Sequence, residues 1–167
     1  MRVYFLGYIA AGKKSWGQKL AKELNLNFVD TREIMEAKSG LSFGELLKQK
    51  DLYIRLEQEA LAEVSVMENV VVATSEMLPC RGDNMDVLNK TGITFFLRAG
   101  LGCIMMKIAK DTDAIPYLKG MDPDIIPDFI KMEIDNRKEF YNKADLVYLS
   151  RYLKLNMLVD MVKSVGK

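Results

Sequence analysis

The chain has 167 residues, 49% of them hydrophobic, with 24 basic side chains, 23 acidic ones and no histidine. That length can bury one sizeable core, and a net charge of +1 gives no ground for expecting nucleic acid as a partner. The lack of histidine excludes a histidine-ligated zinc site and a Ser-His-Asp triad, and two cysteines, Cys80 and Cys103, are too few for a disulfide framework.

Val3-Tyr4-Phe5-Leu6 reads as a first strand, and Ser15 to Leu24 carries Trp16, Leu20, Ala21 and Leu24 at helical spacing. Between them lies Gly7-Tyr8-Ile9-Ala10-Ala11-Gly12-Lys13-Lys14-Ser15. Strand, glycine-bounded turn and helix, in that order, make the frame of a phosphate-binding loop. Gly7 and Gly12 permit torsions that let successive N–H groups turn inward around an anion, and the positive end of the helix adds its field. The candidate phosphate-binding residues are therefore Gly7, Ala10, Ala11, Gly12, Lys13, Lys14 and Ser15, with Lys13 the mobile charge for the outer phosphates of a nucleotide such as ATP. The pattern asks for Ser or Thr after that lysine, because its hydroxyl holds magnesium, and Lys14 stands there instead. Two readings stay open. Either the Lys14 ammonium replaces part of the metal's charge, which puts a magnesium requirement in doubt, or it points to solvent. The plain alternative for the whole stretch is a glycine turn bearing a solvated lysine pair.

Farther along, Asn27-Phe28-Val29-Asp30 reads as a short second strand ending in a carboxylate. Asp30 is a candidate catalytic or metal-supporting group, or simply the cap of the next helix. Helical pieces follow near 32–37 and 43–48, and then a longer helix with Leu56, Ala60, Leu61 and Val64 on one face. Val70-Val71-Val72-Ala73 is an apolar run suited to a strand covered on both faces. Asp83 or Asn84 caps a helix running to Leu88, Ile93 to Leu97 is a fourth strand, and Leu146 to Leu149 a fifth. Between these two lie a helix through Ile104 to Ala109, a polar, lid-like stretch over about 111–127 containing Pro116, Pro123 and Pro127, and a helix from Phe129 to Phe140. A last helix carries Leu155, Leu158, Val159 and Val162. Strands alternating with helices imply parallel pairing and a single α/β domain of three layers, α/β/α, with ligands at the carboxyl ends of the strands.

At this point the residues carry a family likeness. Phe5-Leu6-Gly7-Tyr8, the loop through Gly12-Lys13, Gly17, Phe28-Val29-Asp30, Phe43-Gly44-Glu45-Leu46, Pro79-Cys80 and Arg137 followed by Phe140-Tyr141 together resemble bacterial shikimate kinase nearly end to end. The resemblance implies a P-loop kinase fold with a five-stranded parallel sheet whose phosphate-loop strand is central. It also implies transfer of the γ-phosphoryl group of ATP to a hydroxyl of shikimate, with magnesium and a mobile lid.

The departures from the family pattern are specific. An Asp expected two residues after Asp30 is Arg32, a substrate-clamping arginine falls on Ile54 with Arg55 one position off, and a glycine triplet is replaced by Ser75-Glu76-Met77. The lid arginine is matched by Ile115, the arginine that stacks on adenine falls among Ile104, Met105 and Met106, and of the substrate arginines only Arg137 survives. Such losses are expected to remove most catalysis and to make the crevice apolar toward shikimate. Arg137 either binds an anion or pairs with Glu133. Glu76 is either a base or a solvated loop carboxylate, and Cys80, Cys103, Met105 and Met106 read as buried filler.

Three functions stay open: a kinase for shikimate or another small hydroxylated metabolite, a silent nucleotide- or phosphate-binding regulatory module, and an interaction protein with a vestigial loop. No run is long enough to span a bilayer, and Met1-Arg2 leads straight into the first strand, so a cytoplasmic protein without a signal peptide, monomeric or homodimeric, is expected.

Overall fold

The computed structural model describes residues 1–110, 115 and 118–165. Five parallel strands, β1 (Arg2–Leu6), β2 (Asn27–Asp30), β3 (Val70–Ala73), β4 (Ile93–Arg98) and β5 (Leu146–Leu149), lie in the order β2-β3-β1-β4-β5. Tyr4 is in register with Val72 on one side and Thr94 on the other, so β1 is hydrogen-bonded along both edges. Such a strand meets no water on either face, which is why Val3 to Leu6 form a continuous apolar run instead of an alternating one.

The helices flanking the sheet are α1 (Lys13–Leu24), α2 (Thr31–Ser39), α3 (Phe43–Leu46), α4 (Lys50–Val66), α5 (Asn84–Thr91), α6 (Leu101–Lys110), α7 (Ile126–Tyr141) and α8 (Leu155–Ser164). Alternate strand residues serve opposite layers. Val3, Phe5, Phe95 and Leu97 pack with Leu20 of α1 and with Leu158 and Val162 of α8. Tyr4, Leu6, Val70 and Val72 pack with Leu61 and Val64 of α4, Leu88 of α5 and Tyr141 of α7. Phe5 and Phe95 meet with ring centroids 5.4 Å apart, and Phe96 and Tyr141 at 4.9 Å, within the range of favourable aromatic pairs.

Local chemistry sets several boundaries. Asp30 Oδ1 accepts from the Arg32 amide at 2.9 Å and caps α2, and Gly40, with φ 69°, closes it. Ser42 and Glu45 form a capping box that starts α3. Asp83 stands at the start of α5 but makes no capping bond, and Asn84 Nδ2 donates to the Leu78 carbonyl at 2.7 Å; the expected side-chain cap is therefore absent. The helices expected at 104–109 and 129–140 extend to 101–110 and 126–141, because Leu101 and Ile126 add apolar contacts beneath the loop that follows β1. Of the lid-like stretch, residues 111–114, 116 and 117 lie outside the described residues, whereas Ile115 and Leu118 are buried. Among the described residues no helix is long and apolar enough to cross a membrane.

Gly7, the first residue after β1, has φ 144°, and a Cβ there would sit 2.6 Å from the Leu97 carbonyl oxygen of β4. Gly7→Ala is therefore expected to destabilise the fold by ~2 kcal/mol or more, read as a lowered midpoint in denaturant unfolding followed by circular dichroism.

Candidate functional site

The turn from β1 into α1 opens at the carboxyl rim of the sheet, beside the end of β3. Ala10 and Gly12 have φ 62° and 97°, and the Ala11 amide closes a turn onto the Tyr8 carbonyl at 3.2 Å. Gly12 caps α1 without a side-chain bond, so the positive end of the helix has no side-chain cap and faces the hollow of the turn. Gly12, Lys13, Lys14 and Ser15 line a cavity of about 300 Å³ with Ile9, Ala10, Asp30, Arg32, Thr74 and Lys107. A larger hollow, about 540 Å³, lies among Arg2, Met67 and Lys90, at the amino ends of the strands where doubly wound sheets do not place ligands.

Lys13 is buried and folded back on its own loop, its Nζ donating to the Gly7 carbonyl at 2.6 Å and the Tyr8 carbonyl at 3.1 Å. Burial brings its pKa down to about 8, although the Glu76 carboxylate draws it upward. Asp30 faces the same cavity, and burial pushes its carboxyl up against the opposing pull of the Arg32 amide and charge. Asp30 is thus both a helix cap and a wall of the cavity. Lys14 is half exposed and pairs with Glu33 Oε1 at 2.5 Å, a contact that raises its pKa. It therefore neither points freely into solvent nor reaches into the loop.

Past the end of β3, buried ion pairs stand beside the apolar positions expected there. Glu76, expected as a base or a solvated loop carboxylate, is buried and ion-paired with Arg32, while Arg32 also stacks over the Phe43 ring at 4.3 Å. Glu57, fully buried in α4, binds Arg81 and accepts from Ser75 Oγ at 2.6 Å and Tyr53 OH at 3.1 Å. Charge has been kept here and neutralised within the protein. Ile54 and Met77 do pack apolarly, around Met35, Leu46 and Tyr53. Arg55 is exposed and contacts Glu59, so it does not take over from the neighbouring position.

Arg137 is buried, pairs with Glu133, donates from Nε to Met77 Sδ at 3.1 Å and lies 5.1 Å from the Tyr8 ring centre. Ile115 is fully buried with Tyr8, Ile9, Ile104, Ile108 and Ile130. Met105 joins that cluster, but Met106 is 62% exposed and lines a second cavity of about 430 Å³ with Arg98, Cys103, Leu149 and Arg151. Both cysteines, read as buried thiols, are half-buried and free, and burial pushes the Cys80 thiol up to about 12. Sequence reading did not single out Lys107, whose Nζ donates to the Ala10 carbonyl, nor the roles of Glu33, Glu57 and Arg81. Only the tertiary fold brings Lys107 to a loop 97 residues away.

The sequence profile described as shikimate kinase matches residues 9–163. This chain belongs to the shikimate kinase family. It is 32% identical to the shikimate kinase of Bacteroides thetaiotaomicron over 150 residues, covering 89% of this chain and 86% of that one. It is 31% identical to the Aquifex aeolicus shikimate kinase over 148 residues, covering 87% and 84%. The crystal structure of the B. thetaiotaomicron enzyme superposes with a TM-score of 0.89 at 29% identity, covering 99% of this chain and 98% of that one. That of an Acinetobacter baumannii shikimate kinase in complex with shikimate gives 0.85 over 99% and 92% at 20% identity, a likeness of fold alone. The five-stranded parallel sheet and the loop at its carboxyl rim are those expected of a P-loop kinase.

Glu76 ties the acceptor side of this family member to its stability. Burial pushes its carboxyl up, but Arg32 and then Lys13 outweigh burial and hold it below the usual 4.5. A depressed carboxyl contributes stability that is present above the unfolded pKa near 4.5 and is lost as pH falls through the folded value. Glu76→Gln leaves Arg32 without its partner and is expected to cost about 3 kcal/mol at pH 7, whereas the double variant Arg32→Met, Glu76→Leu recovers most of this and loses part of the acid sensitivity. Urea unfolding of the three proteins from pH 7 to pH 3 checks both outcomes.

Proposed function

We propose that this chain binds ATP across its two rim cavities and transfers the γ-phosphoryl group to the hydroxyl of a small hydroxylated acceptor, with shikimate the first candidate. The observation that carries this reading is the turn Gly7–Ser15, held as an open anion cradle with Lys13 and Asp30 on the same cavity wall. The names of the relatives and the shikimate bound to the A. baumannii homologue support the choice of acceptor.

In this reading the phosphates lie on the amides of the turn and the head of α1, and the base lies in the hollow between the ends of β4 and β5, among Arg98, Met106 and Arg151. Lys13 leaves the Gly7 and Tyr8 carbonyls for the outer phosphates, a change from neutral to charged acceptors that strengthens its bonds. Asp30, its carboxyl raised by burial, accepts the proton of the acceptor hydroxyl as the new P–O bond forms and ADP departs. Positioning and charge neutralisation supply nearly all of such catalysis, so little covalent participation by the protein is needed.

A second reading is nucleotide binding without transfer. It is favoured by the Arg32–Glu76 pair, which occupies the place where the resemblance expects an aspartate and open glycine backbone.

A coupled assay of ADP release decides between them. Release that depends on shikimate and is lowered roughly 10²–10³-fold in Lys13→Met supports transfer. No acceptor-dependent release, together with a thermal shift by ATP, supports binding alone. Because the free Lys13 ammonium deprotonates near pH 8 and phosphate favours its charged form, ATP affinity is expected to fall as pH rises above about 8. In Lys13→Met that dependence is lost. Calorimetric titration with ATP at pH 7, 8 and 9 measures it.

A further inference from the structure

We infer that Lys107 of α6 is a phosphate-neutralising residue of the donor site and that, with Lys13, it supplies countercharge that a divalent cation would otherwise bring. The inference rests on the reading of the 300 Å³ cavity as the seat of a nucleoside triphosphate, and it names the groups that meet the triphosphate there.

Among the described residues, Lys13, Lys14, Arg32 and Lys107 line that cavity with the carboxylate of Asp30. Lys14 and Arg32 are bonded to Glu33 and Glu76, so their charges are largely balanced within the protein. The other two ammonium groups are held differently. Lys13 donates to the Gly7 and Tyr8 carbonyls, and Lys107 donates to the Ala10 carbonyl, all three acceptors belonging to the loop that would cradle the phosphates. A carbonyl is a neutral acceptor, and a phosphate oxygen in the same cavity is a charged one with roughly twice the bond strength. A bound phosphate chain therefore draws both ammonium groups off the loop. Lys107 is exposed on α6, so its long side chain can make that exchange without disturbing the core.

The donor chemistry of the cavity does not match a magnesium site. Magnesium takes oxygen ligands in octahedral array. Here the position after Lys13, where a hydroxyl is required, holds Lys14, and one oxygen of the Asp30 carboxylate, Oδ1, is engaged in capping α2. Ser15 and Thr74 bring hydroxyls to the cavity wall, and that of Thr74 donates to the Phe5 carbonyl. The two ammonium groups held by loop carbonyls neutralise phosphate charge directly and leave weak support for a cation beside them.

Isothermal titration calorimetry on the full chain with ATP and with AMP, each in magnesium and in EDTA, tests the assignment on the wild type, Lys107→Met, Lys13→Met and the control Lys110→Met. The wild type is expected to retain ATP binding in EDTA. Lys107→Met should weaken ATP about tenfold and leave AMP unchanged, the loss of one charge-assisted contact to the outer phosphates. Lys110→Met should match the wild type. Circular dichroism melts on the same samples establish that each variant is folded. Wild-type ATP binding that vanishes in EDTA, or Lys107→Met binding ATP as the wild type does, overturns the inference. If the wild type binds ATP in neither buffer, the donor-site reading falls with it. If Lys13→Met loses ATP while Lys107→Met keeps it, the donor site stands and only the role given to Lys107 falls.

Discussion

The rest of the molecule depends on how closely the turn after β1 is pressed against β4. Gly7 lies where a Cβ would collide with the Leu97 carbonyl, so the chain leaves the central strand in direct backbone contact with its neighbour. That contact exists because β1 is paired on both sides, with β3 and with β4. A central strand cannot shift without breaking two ladders, and the turn inherits its rigidity. A phosphate cradle needs backbone donors held in place before the anion arrives, and rigid strands deliver this better than side-chain contacts could. The left-handed torsion of Ala10, a residue with a Cβ, costs roughly 1 kcal/mol and is tolerated only because the surrounding turn is fixed.

Burial then decides what each charge near the cradle can do. Lys13 is buried with only carbonyls bonded to its ammonium, and its pKa is low; Arg32 and Glu76 are bonded to one another, and Glu76 is held ionised. The Arg32–Glu76 and Arg81–Glu57 pairs run from the cavity wall toward the end of β3, and Ser75 and Tyr53 tie the second pair to the backbone layer beneath. Without Glu76, Arg32 would be an uncompensated cation beside Lys13, and without Arg32, Glu76 would be a buried carboxylate lacking its bonded partner, so the two residues form one electrostatic unit.

The sequence made the sheet legible where periodicity was strong. β1, β3 and the amphipathic face of α4 were readable because a strand covered on both faces and a helix covered on one leave different apolar patterns, and the observed β3 spans the same four valine and alanine residues that were read. The loop was readable because its glycines are spaced by the geometry they serve. The acceptor side was not. A loop glutamate reads as solvated on average, and nothing local to Ser75-Glu76-Met77 reveals that an arginine from α2 lies against it. The same holds for Lys107, whose partner is 97 residues away, and for Met106, exposed because it lies on the face of α6 that borders a hollow instead of the core. Such pairings are set by tertiary contact, and one-dimensional spacing carries no trace of them.

Ile115 shows how the apolar and charged changes belong together. It stands where the resemblance expects a lid arginine, and it is buried against Tyr8 and Ile9 of the loop. An arginine in that place would be a desolvated cation among isoleucines, so the apolar cluster and the loss of the lid charge require one another. The cluster in turn fixes α6 against the loop through Ile104 and Ile108. Lys107 lies next to Ile108 on the same turn of that helix, so the packing that holds α6 against the loop also delivers an ammonium group to the Ala10 carbonyl.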